Sequence, residues 1–258
     1  MLNNCVIKSS MKKLLLAGCL LFLTACRQAT PASAPSLFST ATHPALQTPV
    51  TVPASPEPSP TPEPSSTPLP RFFTNGFDSS LAGWVILQAG NDSIPDIETE
   101  DGWLLLQMDS PYTWLHAIYG AQDYADVRVD VQFENRASGP ASIGLMCGYS
   151  EEDGWFEFNV STDGTYSVLH GRWLAVGVTD YLPILSASSR EIRPSGASQQ
   201  IGLTCSESTL SLYINEKLIR KVDVTRQGLS EGKVGFVASS FANTPVVAAF
   251  DWVRVAEP

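Results

Sequence analysis

The sequence is poor in what nucleic-acid and metal chemistry requires. It has 16 Lys and Arg against 26 Asp and Glu in 258 residues, a formal net charge of −10, and three His. No basic cluster or glycine-rich phosphate loop offsets that charge, which argues against nucleic acid as a partner. Cys is scarce and never paired as Cys-x-x-Cys, and His43, His116 and His170 are scattered, so no nitrogen–sulfur metal site is written into the chain. There is no Gly-x-Ser-x-Gly nucleophile elbow. Apolar runs are short: the most sustained, Leu14 to Leu23, falls well below the roughly 20 residues of a transmembrane helix. Beyond that run no stretch carries an apolar stripe at helical spacing.

What is present comes in three parts. Met11 opens the first, and translation is expected to start there, because Met1 to Ser10 is a polar lead with no place in the pattern. Lys12 and Lys13 supply a short positive region, the apolar run follows, and Thr24 and Ala25 are small. This is the layout of a cleavable secretory signal. It ends in Leu23-Thr24-Ala25-Cys26, which resembles the lipobox of bacterial lipoproteins. The resemblance implies that residues 1–26 are removed up to Cys26, that Cys26 is lipidated, and that the protein is exported and held at the outer face of a bacterial membrane. Several acyl chains on one residue anchor far better than the single chain that binds only marginally.

The second part, residues 27–70, is dominated by Pro, Ser, Thr and Ala. Such a segment lacks the apolar side chains to offset ordering entropy and is expected to be a disordered spacer. Its frequent prolines bias it to polyproline II, with a reach on the order of 100 Å when extended.

The third part, residues 71–258, holds 24 of the 26 acidic residues and 12 of the 16 Lys and Arg. Its periodicity is two. From Asp126 to Glu134 every odd position is apolar and every even one polar, as in a half-buried antiparallel strand. Ile143/Leu145/Cys147/Tyr149, Phe156/Phe158/Val160, Ile201/Leu203/Cys205, Leu210/Leu212/Ile214 and Val246/Ala248/Phe250/Trp252 read the same way. Turn pairs such as Asp101-Gly102, Asp153-Gly154 and Asp163-Gly164 separate them. Many short strands with tight turns predict an all-β sandwich or barrel.

Phe72-Phe73-Thr74-Asn75-Gly76-Phe77-Asp78 with Gly83-Trp84 opens this domain, and Phe250-Asp251-Trp252-Val253-Arg254-Val255 closes it. With Asp163-Gly164-Thr165-Tyr166 and Leu210 to Asn215 between them, these resemble the concanavalin A-like lectin/glucanase jelly roll. The branch they are most similar to is the 3-keto-disaccharide hydrolase-like domain of bacterial surface lipoproteins. The resemblance implies an antiparallel two-sheet sandwich whose first and last strands pair. The family has Asn-Gly where this chain has Asn215-Glu216, so that hairpin is expected to be longer or distorted.

Of five Cys, Cys5 and Cys19 precede the processing point and Cys26 carries the anchor. Cys147 and Cys205 remain, both on the apolar phase of a strand in an exported domain. A disulfide between them is expected, with two separate buried thiols as the alternative.

Glucanases of this fold carry their carboxylates as Glu-x-Asp-x-x-Glu, which this chain lacks. No catalytic residue is therefore assigned, and a hydrolase of the same fold stays an alternative, as does an adhesive protein. Sugar binding asks for aromatic rings with carboxylates or amides beside them. If Phe156, Phe158 and Val160 face inward, Trp155, Glu157 and Asn159 face outward, with Gly144, Met146 and Gly148 leaving room beside them. Tyr166, His170, Arg172 and Trp173 are expected to join this exposed glycan face. Related jelly rolls hold a structural calcium ion where the terminal strands meet, and Asp78 and Asp251 are its candidate ligands here. No other cofactor is expected.

Overall fold

The computed structural model describes residues 69–78 and 81–258. The signal, Cys26 and the spacer up to residue 68 lie outside the described residues. Fifteen strands follow in chain order: β1 (Phe73–Asn75), β2 (Trp84–Gly90), β3 (Asp96–Glu100), β4 (Trp103–Met108), β5 (Thr113–Tyr124), β6 (Val127–Asn135), β7 (Ser142–Ser150), β8 (Gly154–Ser161), β9 (Thr165–Ala175), β10 (Val178–Ser188), β11 (Gln199–Ser206), β12 (Thr209–Ile214), β13 (Lys217–Asp223), β14 (Gly232–Ser240) and β15 (Val246–Ala256). There is no helix among the described residues.

The strands form two antiparallel sheets. The eight-stranded sheet runs β13-β12-β11-β6-β15-β4-β3, and β1 pairs with the end of β15 that β4 leaves free. The seven-stranded sheet runs β10-β9-β8-β7-β14-β5-β2. The terminal strands meet as expected, with Phe73 opposite Val255 and Asn75 opposite Val253.

Alternation decides which face each sheet buries. Val127, Val129, Val131 and Phe133 of β6 and Phe156, Phe158 and Val160 of β8 enter one continuous core between the sheets. Each such side chain stabilises by roughly 1.5–3 kcal/mol. Cys147 on β7 and Cys205 on β11 are disulfide-bonded across the sandwich, their Cα atoms 6.6 Å apart.

Three local expectations change, the first in β15, where the register shifts between Phe250 and Trp252 so that Val253 and Val255, not Trp252, continue the core phase. Asn215 and Glu216 both take positive φ, 49° and 66°, and make a tight two-residue turn between β12 and β13, so the hairpin is not longer; it is distorted beside the turn, where the register shifts between Leu212 and Tyr213. Positive φ at both central positions is the turn whose twist suits a β-hairpin. Tyr149 does not share the inward phase of Ile143, Leu145 and Cys147. Gly148 has φ +63° and the register shifts between Cys147 and Ser150. This bulge turns Tyr149 to the outer face of the sheet, where it joins Trp155 and Met146.

Candidate functional site

The outer face of the seven-stranded sheet carries the residues on which sugar chemistry was expected. The phase of β8 is as read: Phe156, Phe158 and Val160 point into the main core and Trp155 points away from it. Exposure is not as read. Trp155 is 0% exposed, Glu157 1% and Asn159 6%. They form the polar heart of a second, smaller cluster in which Trp155 packs with Ile118, Met146, Tyr149 and Val237, and Trp173 and Tyr181 lie over it. The room expected beside them is filled. A Cβ on Gly144 would stand 2.1 Å from Asn159 Oδ1, and one on Gly171 would stand 2.6 Å from the Trp155 ring.

Glu157 organises this cluster. Trp155 Nε1 donates to its Oε2 at 2.9 Å, Asn159 Nδ2 to Oε1 at 2.7 Å, and the Tyr181 hydroxyl to Oε2 at 3.3 Å. Because Tyr181 spends its proton on Glu157, its oxygen accepts from His116 Nε2, 2.9 Å away. His116 Nε2 is itself 3.8 Å from Glu157 Oε2. Burial holds the His116 imidazole below its ordinary pKa, and the pull of the Glu157 carboxylate does not overcome it. Burial, with Glu157 nearby, pushes the Tyr181 hydroxyl far above its ordinary value. All partners of Glu157 are thus neutral donors in a dry setting.

The strand register separates the remaining candidates. Phe156 pairs with His170 and Val160 with Tyr166, so these side chains share the core-facing phase and not that of Trp155. Tyr166 is buried in the main core, edge-on to Phe158 at 6.2 Å. His170 packs on Phe156 at 5.1 Å; burial and then the Arg172 charge lower its pKa. Arg172 is exposed and pairs with Asp180, Nη2 to Oδ2 2.8 Å. Of the seven candidates only Trp155, Glu157, Asn159 and Trp173 share a face.

At the terminal strands Asp78 is exposed, and Asp251 Oδ2 accepts from Gln132 Nε2 at 2.7 Å. Among the described residues no three His, Cys, Asp or Glu side chains gather as a metal site.

A cleft stands above the cluster. The β9–β10 hairpin carries its tip across to the opposite edge of its own sheet, where the Gly90 N–H of β2 donates to the Gly177 carbonyl at 3.0 Å. Between hairpin and β2 lies a cleft of about 540 Å³, lined among others by Leu87, Gln88, Tyr149, Glu151, Trp173 and Leu174. Trp173 Nε1 donates to the Tyr149 hydroxyl at 3.1 Å, which fixes both rings at the cleft wall. Sequence reading found Trp173 but missed Tyr149, because only the Gly148 bulge brings it here. It also missed His116 and Tyr181, whose pairing spans 65 residues.

No family model matches the sequence, and no curated protein does. Solved structures do match its fold. A native glycosidic hydrolase is 13% identical, over 75% of this chain and 100% of its own, with a TM-score of 0.51. A β-1,3-1,4-glucanase (lichenase) from a mouse hindgut metagenome is 13% identical over 72% of this chain and 99% of its own, TM-score 0.51. A mixed-linkage-glucan GH16 protein of Bacteroides ovatus is 8% identical over 71% and 99%, TM-score 0.51. What the chain shares with these glycoside hydrolases is the fold, a two-sheet jelly roll.

Proposed function

We propose that the domain captures a glycan in the cleft between β2 and the β9–β10 hairpin, and that Cys26 holds it to a bacterial membrane as an exported lipoprotein. The observation that carries the binding reading is the cleft wall of Trp173 and Tyr149, with Gln88 and Glu151 at hand for hydroxyls. Rings of this kind stack on the apolar faces of a pyranose. The glucanase names of its fold neighbours agree with a saccharide ligand. Capture is preferred to hydrolysis because Glu157, the carboxylate at the centre of the face, is enclosed and already accepts three hydrogen bonds. Glycosidic cleavage needs two carboxylates on either side of one bond.

The test is affinity electrophoresis of the chain through gels containing mixed-linkage β-glucan and other polysaccharides. Trp173→Ala is expected to weaken retention about tenfold, the loss of roughly 1.4 kcal/mol of stacking. Equal retention of wild type and variant on every retaining gel would place the site elsewhere. Release of reducing sugar by the wild-type chain would make it a hydrolase.

A further inference from the structure

The cleft between β2 and the β9–β10 hairpin offers more acceptors than donors. The Gln88 amide spends its Nε2 on the chain, donating to the Asn91 carbonyl at 2.5 Å and the Ser93 carbonyl at 2.8 Å. Its Oε1 is left to accept. Glu151, on the same cleft, adds only acceptors. The Tyr149 hydroxyl accepts from Trp173 Nε1. Burial, helped by the Glu151 charge, holds that hydroxyl above its ordinary pKa against the pull of the Trp173 hydrogen bond. It therefore keeps its proton and has one to donate.

The free charge at the cleft is of one sign. Lys233, whose charge reaches Tyr149, is held by Asp123, Nζ to Oδ1 3.0 Å. Arg172, next to Trp173 in the chain, is held by Asp180. Glu151 is exposed and has no ion pair among the described residues. Glu152 and Asp153 follow it in the β7–β8 turn and add to the negative field. The carboxylate shares its cleft with Trp173 and Tyr149, two rings that their mutual hydrogen bond fixes. Aromatic faces attract ammonium groups, Trp most strongly. A carboxylate beside such rings suits a cation that also donates hydrogen bonds.

We propose, resting on the capture reading above, that the cleft selects saccharides with free amines, sugars whose amino group carries no acetyl. The ammonium sits against Trp173 and Tyr149 and donates to Glu151 and to Gln88 Oε1. The Tyr149 proton goes to a sugar oxygen. N-acetylation removes the charge that the carboxylate attracts. A uronate is repelled by Glu151. A neutral glucan still stacks but gains nothing from the charge.

The test titrates the full chain calorimetrically with oligosaccharides of one length and linkage, built of glucosamine, N-acetylglucosamine or glucose, and with an oligolysine peptide. Mildly acidic pH keeps the sugar amines protonated. The glucosamine oligomer is expected to bind about tenfold more tightly than the other two sugars. Glu151→Gln is expected to remove that preference and leave the melting temperature unchanged, while Trp173→Ala weakens all three sugars. Equal affinity for the three sugars, or a preference that survives Glu151→Gln, would overturn the proposal and leave the capture reading standing. Oligolysine binding as tight as that of the glucosamine oligomer would overturn it too, since the cleft would then take amines without regard to sugar. No binding of any saccharide would end both readings.

Discussion

Trp155 shows how much one side chain's surroundings change its meaning. It points away from the main core, yet its ring is enclosed by Tyr149, Trp173, Tyr181 and His116. Its indole N–H is also one of three donors to the buried Glu157. Trp155→Ala is therefore expected to cost about 3–5 kcal/mol in urea unfolding, the range for a deleted buried aromatic. A loss below about 1 kcal/mol would mean that the cluster is open in solution. His116 gives the same face a dependence on pH. Its folded pKa lies below 6.5 because burial disfavours the imidazolium. Its contribution to stability is thus fully present above pH 6.5. It is lost as pH falls through the interval below 6.5, where the unfolded chain takes up a proton that the folded chain refuses. The stability difference between wild type and His116→Gln should shrink from pH 7 to pH 5, by at most about 1.4 kcal/mol per unit. A difference that does not vary with pH would show that His116 titrates alike in the folded and unfolded chains, and one that grows toward pH 5 would show that it carries its proton when folded.

Elements were legible where alternation alone decides them. In β6 and β8 the apolar phase names the buried face directly, and the strands at both ends of the domain pair as the jelly-roll resemblance implied. What covers the other face was not legible. The roof over β8 comes from β9 and β10, whose tip meets β2 about 90 residues earlier, and no local pattern records that contact. A single bulge at Gly148 reverses Tyr149 against the phase of its own strand. The register of β9 on β8 likewise removes Tyr166 and His170 from the face of Trp155, and sequence distance gives no sign of it. The β12–β13 hairpin shows the opposite limit, a turn type that holds although its residue is unfavourable. Glu216 sits at φ 66° without the freedom of glycine. Left-handed backbone costs a side-chain-bearing residue roughly 1–2 kcal/mol, and glycine gives back part of that as entropy in the unfolded chain. Glu216→Gly is expected to raise stability by about 0.5–1 kcal/mol in thermal or urea unfolding. An unchanged or lowered stability would mean that Glu216 makes a compensating contact.

At the scale of the whole molecule, the acidic domain and the scarcity of cations disfavour direct adhesion to anionic surfaces, and the proposed lipid at Cys26 would hold the chain to a membrane without such adhesion. Cys26→Ala should abolish labelling of the protein by a radioactive fatty acid in growing cells; equal labelling of both forms would end the lipoprotein reading. The Cys147–Cys205 bond has a consequence of a different kind wherever the domain meets a protease. The two cysteines are 58 positions apart, and β8, β9 and β10 lie between them. The most accessible apolar residue of the hairpin tip, Val176, falls inside that interval. A protease that cuts there opens the chain without shedding any of it. The nicked domain remains a single covalent body, its amino-terminal part still joined to its carboxyl-terminal half, until the medium turns reducing.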